Sequence, residues 1–108
     1  MVHRHSEEGY RQILAGIEMK PLVYGENTLL CKFHLQKGSL LPRHAHPNEQ
    51  TGYMLAGRMR FTIGDETLVV EPGDSWCIGA NVEHSAELLE DSTILEVFSP
   101  VRADYLPT

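Results

Sequence analysis

Apolar and polar residues alternate along much of this chain in short segments, a period typical of β-strands that bury one face. In residues 28–35 every odd-numbered position is apolar, and Met59, Phe61 and Ile63 alternate with polar residues in the same way. Similar segments predict the remaining strands at residues 50–56, 67–70, 75–78, 84–88 and 93–98.

Glycine and proline separate these segments and act as turn signals. The chain has nine glycines and six prolines, spread along its length without a repeat or a low-complexity linker. The pair Gly64 and Asp65 closes a predicted hairpin between two of the strands. This pattern predicts an all-β single domain, either a sandwich or a barrel.

The N-terminal segment gives a mixed signal. Its apolar residues have the spacing of one helix face: Tyr10, Ile13, Leu14 and Ile17. Because Gly9 and Gly16 disfavour a helix, we expect an irregular segment that leads into a strand near residues 12–14. Residues 1–10 are mostly polar, and we expect them to form a flexible extension of the one domain, residues 1–108.

Length and charge exclude several classes of function. A chain of 108 residues fits one domain, and its net charge is −6. The acidic balance argues against a nucleic-acid partner and against an anionic membrane surface. No apolar run is long enough to cross a bilayer. The polar N-terminus lacks the apolar region of a signal peptide, which predicts a cytoplasmic protein.

The two cysteines, Cys31 and Cys77, lie between strand-forming neighbours. In a reducing compartment such cysteines are usually small buried hydrophobic residues, which is our interpretation of both. A disulfide or a reactive thiol is the alternative.

Three of the six histidines suggest a metal site. His44 and His46 are two residues apart, so in a strand both imidazoles project to the same face. Gln50 follows four residues later, and His84 comes directly after a predicted turn. Imidazole suits zinc, nickel, copper and iron, so these residues are candidate ligands. The other three histidines are interpreted as surface or structural residues: His3, His5 and His34.

The spacing in two segments resembles the two motifs of the cupin superfamily. Residues 38–57 read Gly-x5-His-x-His-x3-Gln-x6-Gly, with Gln50 where most cupins have Glu. Residues 73–84 resemble the second motif and end at His84, with Asn81 at the usual turn glycine. The resemblance implies a double-stranded β-helix, which is a small antiparallel barrel of jelly-roll type. It also implies one divalent metal ion, and Ni, Zn, Mn and Fe are not distinguished.

By this resemblance the metal ligands are His44, His46, Gln50 and His84. Glu49 is a competing oxygen donor, and the family spacing favours Gln50. Three imidazoles and an amide leave the charge of a divalent ion uncompensated, which predicts affinity for anionic ligands. A metal that only stabilises the barrel is the alternative.

A narrower resemblance is to the KdgF-type cupins of pectin degradation. It rests on the C-terminal segment, residues 96–106, and on the Ile-Gly-Asp turn at residues 63–65. These cupins also use Gln as a metal ligand. The resemblance implies that Glu96, Phe98 and Arg102 line the site, with Glu96 where the family usually has Asp. The alternation supports this placement, because Glu96 and Phe98 share one face of the last predicted strand. A structural ion pair between Glu96 and Arg102 is the alternative.

The resemblance implies an enzyme that converts 4,5-unsaturated uronates, released from pectin or alginate, to linear 5-keto-4-deoxyuronates. Arg102 would bind the carboxylate of this small anionic sugar, Glu96 would move a proton, and Phe98 would pack on the sugar. A metal-dependent dioxygenase, a polyketide-cyclase-like cupin and a non-catalytic small-molecule-binding cupin are the alternatives. The resemblance also implies a homodimer, and outward apolar residues such as Leu95 and Val97 support it.

Overall fold

Ten antiparallel strands form two facing sheets in the computed structural model, which describes residues 1–107. In chain order the strands are β1 Arg11–Leu14, β2 Ile17–Tyr24, β3 Leu29–Leu35, β4 Leu40–His44, β5 Glu49–Ala56, β6 Met59–Ile63, β7 Glu66–Val70, β8 Ser75–Ile78, β9 His84–Leu88 and β10 Ser92–Ser99. One sheet has the order β1-β2-β3-β10-β5-β8, and the other has the order β4-β9-β6-β7. The predicted all-β jelly-roll-like fold is confirmed.

The core lies between the two sheets and is built from the inward face of each strand. Along β3 and β10 alternate residues are buried, as the period of two predicts. Met19, Leu29 and Met54 have no exposed surface at all. The alternation therefore determines which side chains of these strands face the interior of the barrel.

The prediction of two buried cysteines is correct for Cys31 and wrong for Cys77. Cys31 is fully buried on β3, and burial raises the pKa of its thiol to about 12. On β8 the neighbours Trp76 and Ile78 are more buried than Cys77, which lies exposed. Both cysteines are free, so no disulfide joins them within the described residues.

The sequence pattern did not predict β2 and β4. The strands β1 and β2 form a hairpin that turns at Gly16, where φ is +76°. The apparent helical spacing of Tyr10 to Ile17 thus covers the end of the N-terminal segment, two strands and the turn between them. Pro42 and Arg43 lie exposed in β4, which has a register irregularity between Leu41 and His44, so β4 lacks a regular alternation.

The C-terminal segment folds back toward the same end of the barrel as β1. It continues from β10 through a cis Ser99–Pro100 peptide to a 3₁₀ helix, Ala103–Tyr105. Arg11 on β1 binds this segment by donating hydrogen bonds to the carbonyl oxygens of Asp104, at 2.7 Å, and Leu106, at 3.1 Å. These bonds fix the position of the residues that follow β10.

Residues 1–10 contain neither helix nor strand. The Lys20 ammonium group donates a hydrogen bond to the carbonyl oxygen of Ser6 at 2.9 Å, and the rings of Tyr10 and His34 lie 4.6 Å apart. The flexibility expected for this segment stays a prediction. Among residues 1–107 no helix is long and apolar enough to cross a membrane.

Candidate metal centre

Three histidines meet where β4 and β9 pair. His44 ends β4, His84 begins β9, and the two are cross-strand partners whose rings lie 4.2 Å apart. His46 lies in the loop that follows β4, with its ring 5.1 Å from that of His84 and 5.8 Å from that of His44. One nitrogen from each ring lies within 4.8 Å of the others. This spacing suits three ligands of a single ion.

A backbone hydrogen bond joins the two loops that carry these histidines. Asn81, in the turn before β9, donates its backbone N–H to the carbonyl oxygen of His46 at 2.8 Å. Its φ is +64°, which asparagine tolerates better than most residues. The sequence substitutes Asn for the usual turn glycine without losing this conformation.

Each histidine ring is oriented by a hydrogen bond from its Nδ1 atom. The acceptors are the backbone carbonyl oxygens of Pro42 for His44 at 2.8 Å, Asn48 for His46 at 3.0 Å, and Val82 for His84 at 2.9 Å. A carbonyl oxygen can only accept, so Nδ1 carries the proton in each ring. With the proton on Nδ1, a neutral ring keeps a free lone pair on Nε2, which is how metal-binding histidines are usually prepared.

The protonation state of these rings also suits a metal. Burial lowers the pKa of His84 to about 4, and burial together with the positive charge of Arg102 lowers the pKa of His46. Both rings are therefore neutral near pH 7. The Nε2 atom of His84 is buried and has no hydrogen-bond partner among residues 1–107. A bound cation would satisfy this orphaned acceptor.

Gln50 lies inside the barrel with only 5% of its surface exposed, whereas Glu49 points outward and is exposed. Its Oε1 atom lies 2.6 Å from Nε2 of His46, and its amide nitrogen donates a hydrogen bond to Oε2 of Glu96 at 2.8 Å. Because the proton of His46 is on Nδ1, the 2.6 Å contact joins two acceptors. A cation bound to both lone pairs would make this close contact favourable. The arrangement of these candidate ligands therefore fits a divalent ion.

Glu96 is buried beside these candidate metal ligands, with 5% of its surface exposed. Burial raises the pKa of its carboxyl group to about 8, although hydrogen bonds from Gln50 and Trp76 act in the opposite direction. Trp76 donates its indole N–H to the same oxygen, Oε2, at 3.4 Å. The other oxygen, Oε1, has no hydrogen-bond partner among residues 1–107.

Arg102 lies next to the site but does not pair with Glu96. Its Nε atom donates to the Asp104 carboxylate at 3.1 Å. Its guanidinium group lies 4.0 Å from the ring centroid of Tyr105 and 5.5 Å from that of Phe98. The ion pair between Glu96 and Arg102 that the sequence suggested does not form, and Arg102 pairs with Asp104 instead. The two terminal nitrogens of Arg102 have no hydrogen-bond partner among residues 1–107.

Two adjoining cavities give access to these residues. The inner cavity, of about 40 Å³, lies between the sheets and includes Glu96 and Phe98 in its wall. The outer cleft, of about 590 Å³, is open to solvent. Both are lined by His44, Arg102 and Tyr105, so the cleft leads to the candidate metal ligands.

Sequence reasoning missed three residues of this site. Asn48 is buried and orients His46 through its carbonyl oxygen, while its side chain donates to the carbonyl oxygen of Pro100 at 2.7 Å. Trp76 binds Glu96, and Tyr105 packs on Arg102. Asn48 has the sequence signature of an ordinary turn residue, and the other two contacts depend on the register of distant segments.

A barrel of two antiparallel sheets with a histidine triad between β4 and β9 defines a cupin. The sequence profile described as "Cupin domain" matches residues 31–99, and the chain belongs to this family. The pectin degradation protein KdgF of Dickeya dadantii is 28% identical over 102 residues, which is 93% of each chain.

Solved structures agree with this assignment. The structure of KdgF from Halomonas sp. has a TM-score of 0.92 and 25% identity, and the match covers 98% of this chain and 100% of that one. An RmlC-like cupin from Shewanella frigidimarina has a TM-score of 0.91 and 23% identity over 97% of this chain and 95% of its own. The second likeness establishes the fold only.

Proposed function

We propose that this chain is a metal-dependent enzyme that opens 4,5-unsaturated uronate monosaccharides, released from pectin or alginate, to linear 5-keto-4-deoxyuronates. Similarity to two KdgF proteins over nearly the whole chain supports a role in pectin degradation. One observation carries the proposal, namely a cavity lined both by candidate metal ligands and by residues suited to a carboxylated sugar: His44, Gln50, His84, Glu96, Phe98 and Arg102.

Within this proposal, one divalent ion per chain is held by His44, His46, Gln50 and His84. Neutral imidazoles and an amide oxygen suit Ni, Zn, Mn or Fe. An ion bound there would supply a Lewis acid that stabilises negative charge on a substrate oxygen.

The outer cleft would hold the sugar, because its volume of about 590 Å³ is in the range of small-molecule sites. The terminal nitrogens of Arg102 have no hydrogen-bond partner among residues 1–107, so they can donate in parallel to a carboxylate. Phe98, which is 1% exposed, forms an apolar wall of the inner cavity and keeps water from the reacting end.

Glu96 would transfer the proton. Ring opening breaks the bond between C1 and the ring oxygen and moves the C1 hydroxyl proton to that oxygen, which gives a C1 aldehyde and a C5 enol. The enol then loses its O–H proton while C4 gains one, so the reaction is an isomerisation with no net change in atoms. Glu96 lines the inner cavity, and its Oε2 atom is held by two N–H donors. Oε1 is therefore the atom that exchanges the proton with the substrate.

The loss of absorbance from the substrate's C4–C5 double bond tests this proposal directly. The metal-loaded protein is expected to remove the absorbance of an unsaturated uronate monosaccharide, and an NMR spectrum of the product should show the linear ketone. Binding of the uronate without loss of the double bond would contradict an enzyme and favour a non-catalytic binding cupin.

Arg102→Lys should raise KM for the uronate by at least about 10-fold, because lysine keeps the charge but loses the planar pair of donors. Steady-state kinetics would measure the change, with Arg60→Lys as the matched control. Arg60 pairs with Glu87 at 2.7 Å on the exposed face of the four-stranded sheet, so its replacement should leave KM unaltered. A fall in kcat with KM unchanged would instead assign Arg102 to the transition state.

We also propose a homodimer that forms through the outer face of the six-stranded sheet. On this face Tyr53 and Leu55 are 45% and 43% exposed, next to the half-buried Leu95 and Val97. Light scattering should give twice the chain mass, and Leu55→Lys should shift the protein toward a monomer. Leu68→Lys, at a 60% exposed position on the other sheet, should not. A monomer mass for the wild type at micromolar concentration would contradict the dimer.

A further inference from the structure

Trp76, the single tryptophan of the chain, lies on β8, and this strand is next to β5, which carries Gln50. It is the cross-strand partner of Gly52 on β5, and Gly52 is in turn the partner of Glu96 on β10. A Cβ atom at position 52 would lie 2.2 Å from the indole nitrogen. Glycine at this position therefore lets the indole cross β5 and reach Glu96.

The orientation of the Gln50 amide depends on Glu96. An amide has a donor end and an acceptor end, and Oε2 of Glu96 accepts from the donor end at 2.8 Å. This leaves the amide oxygen facing Nε2 of His46. Without the acceptor on Glu96, the amide could turn over and donate to Nε2 of His46. The turned amide would remove one oxygen ligand and occupy the lone pair of a second ligand.

Glu96 is itself held by Trp76. The indole N–H donates to Oε2 at 3.4 Å, which is the same atom that accepts from Gln50. Phe61 packs edge-on against the indole from within the core, with ring centroids 5.3 Å apart. The ring is thus held between the backbone of Gly52 and the ring of Phe61, with its donor directed at Glu96.

We infer that Trp76 is a positioning residue of the metal site, which acts through Glu96 to keep the oxygen of the Gln50 amide turned toward the histidines. This inference rests on the metal site of the proposed function. It adds a role for Trp76 and a second role for Glu96, through Oε2, that is separate from proton transfer at Oε1.

The test is a titration of metal-free protein with Co²⁺, followed by its visible absorption, which responds to the ligand set. Loss of a residue that hydrogen-bonds a metal ligand typically weakens metal binding about 10- to 100-fold. Trp76 is one contact further from the metal, so Trp76→Phe should weaken Co²⁺ binding about 3- to 10-fold. In a Gln50→Ala background the same change should leave the affinity unaltered, because no amide remains to orient.

Two further variants keep the test decisive. Phe61→Leu removes one of the two contacts that hold the indole but keeps its N–H, so it should weaken Co²⁺ binding less than Trp76→Phe does. Glu96→Leu removes the acceptor and should weaken binding about 10- to 100-fold, again only while Gln50 is present. Thermal melts of the metal-free variants verify that each one folds.

Three results would overturn the inference. The first is wild-type affinity in Trp76→Phe, whether or not Glu96→Leu weakens binding. The second is an equal loss in the Gln50→Ala background, which would mean that Trp76 acts on the fold and not on Gln50. The third is a wild-type protein that binds no Co²⁺, which would also reject the proposed metal site, whereas the first two results would leave that site intact.

Discussion

His44→Ala should reduce the divalent metal in the purified protein from about one ion per chain to less than about a tenth of that. One ring nitrogen of His44 lies within 4.8 Å of a ring nitrogen of each of the other two histidines. Its removal leaves two imidazoles and an amide oxygen, which form a much weaker site. Elemental analysis of the protein would measure the metal content, and X-ray absorption should show nitrogen and oxygen ligands without sulfur.

His34→Ala is the matched control for this change. His34 lies on the outer face of β3, where its ring contacts Thr93 at 3.3 Å and lies 4.6 Å from the ring of Tyr10. Its removal deletes an imidazole from the same barrel without touching the triad, so the metal content should not change. An ion that persists in His44→Ala would contradict the assignment of the site.

Loss of the metal should also lower the melting temperature, because a ligand that binds only the folded state stabilises it. The metal-loaded wild type should melt higher than the metal-free protein, and His44→Ala should melt at the same temperature with and without added metal. This comparison separates a lost ion from a damaged fold.

The sequence was sufficient to predict those parts of the fold and site that depend on local spacing. The alternation in β3 and β10 predicts which residues enter the core, and it placed Glu96 and Phe98 on the inward face. The spacing of His44 and His46 predicts two rings close together, although only His44 lies in a strand. Short-range geometry of this kind follows from the backbone period alone.

Features that depend on register between distant segments were not predictable. The exposure of Cys77 follows from the inward orientation of Ile78 on the same short strand, and four residues carry too little pattern to show it. The partner of Arg102 depends on a 3₁₀ helix that brings Asp104 back toward it. The contact of Trp76 with Glu96 requires the strand order β10-β5-β8. The alternation of apolar and polar residues within single strands does not predict that order.

Glu96→Gln should lower kcat by about 10²–10⁴-fold while metal content and melting temperature stay near those of the wild type. The amide oxygen of glutamine can still accept from Gln50 and Trp76, so the orientation of the Gln50 amide should be kept. What is lost is the ionisable group. In the metal-free protein burial raises the pKa of Glu96 to about 8, so its carboxyl group holds a proton more tightly than an exposed glutamate does and suits a proton donor.

Glu49→Gln is the matched control, since it makes the same chemical change one residue before Gln50 on an exposed side chain. It should leave both metal and activity unaltered. Glu96→Asp keeps an acid but shortens its reach toward Gln50 by one methylene group. Because aspartate can still exchange a proton, this variant should retain more activity than Glu96→Gln.

The kinetics of these variants distinguish proton transfer from a purely structural role for Glu96. If Glu96 only seals the barrel, Glu96→Gln should change the melting temperature and leave the turnover of folded, metal-loaded protein near the wild-type value. If Oε1 exchanges the proton, turnover should collapse in a protein that still binds its metal and still binds the uronate. Melting curves, metal analysis and the double-bond absorbance assay on the same preparations would separate these outcomes, since only the second mechanism uncouples activity from both stability and metal content.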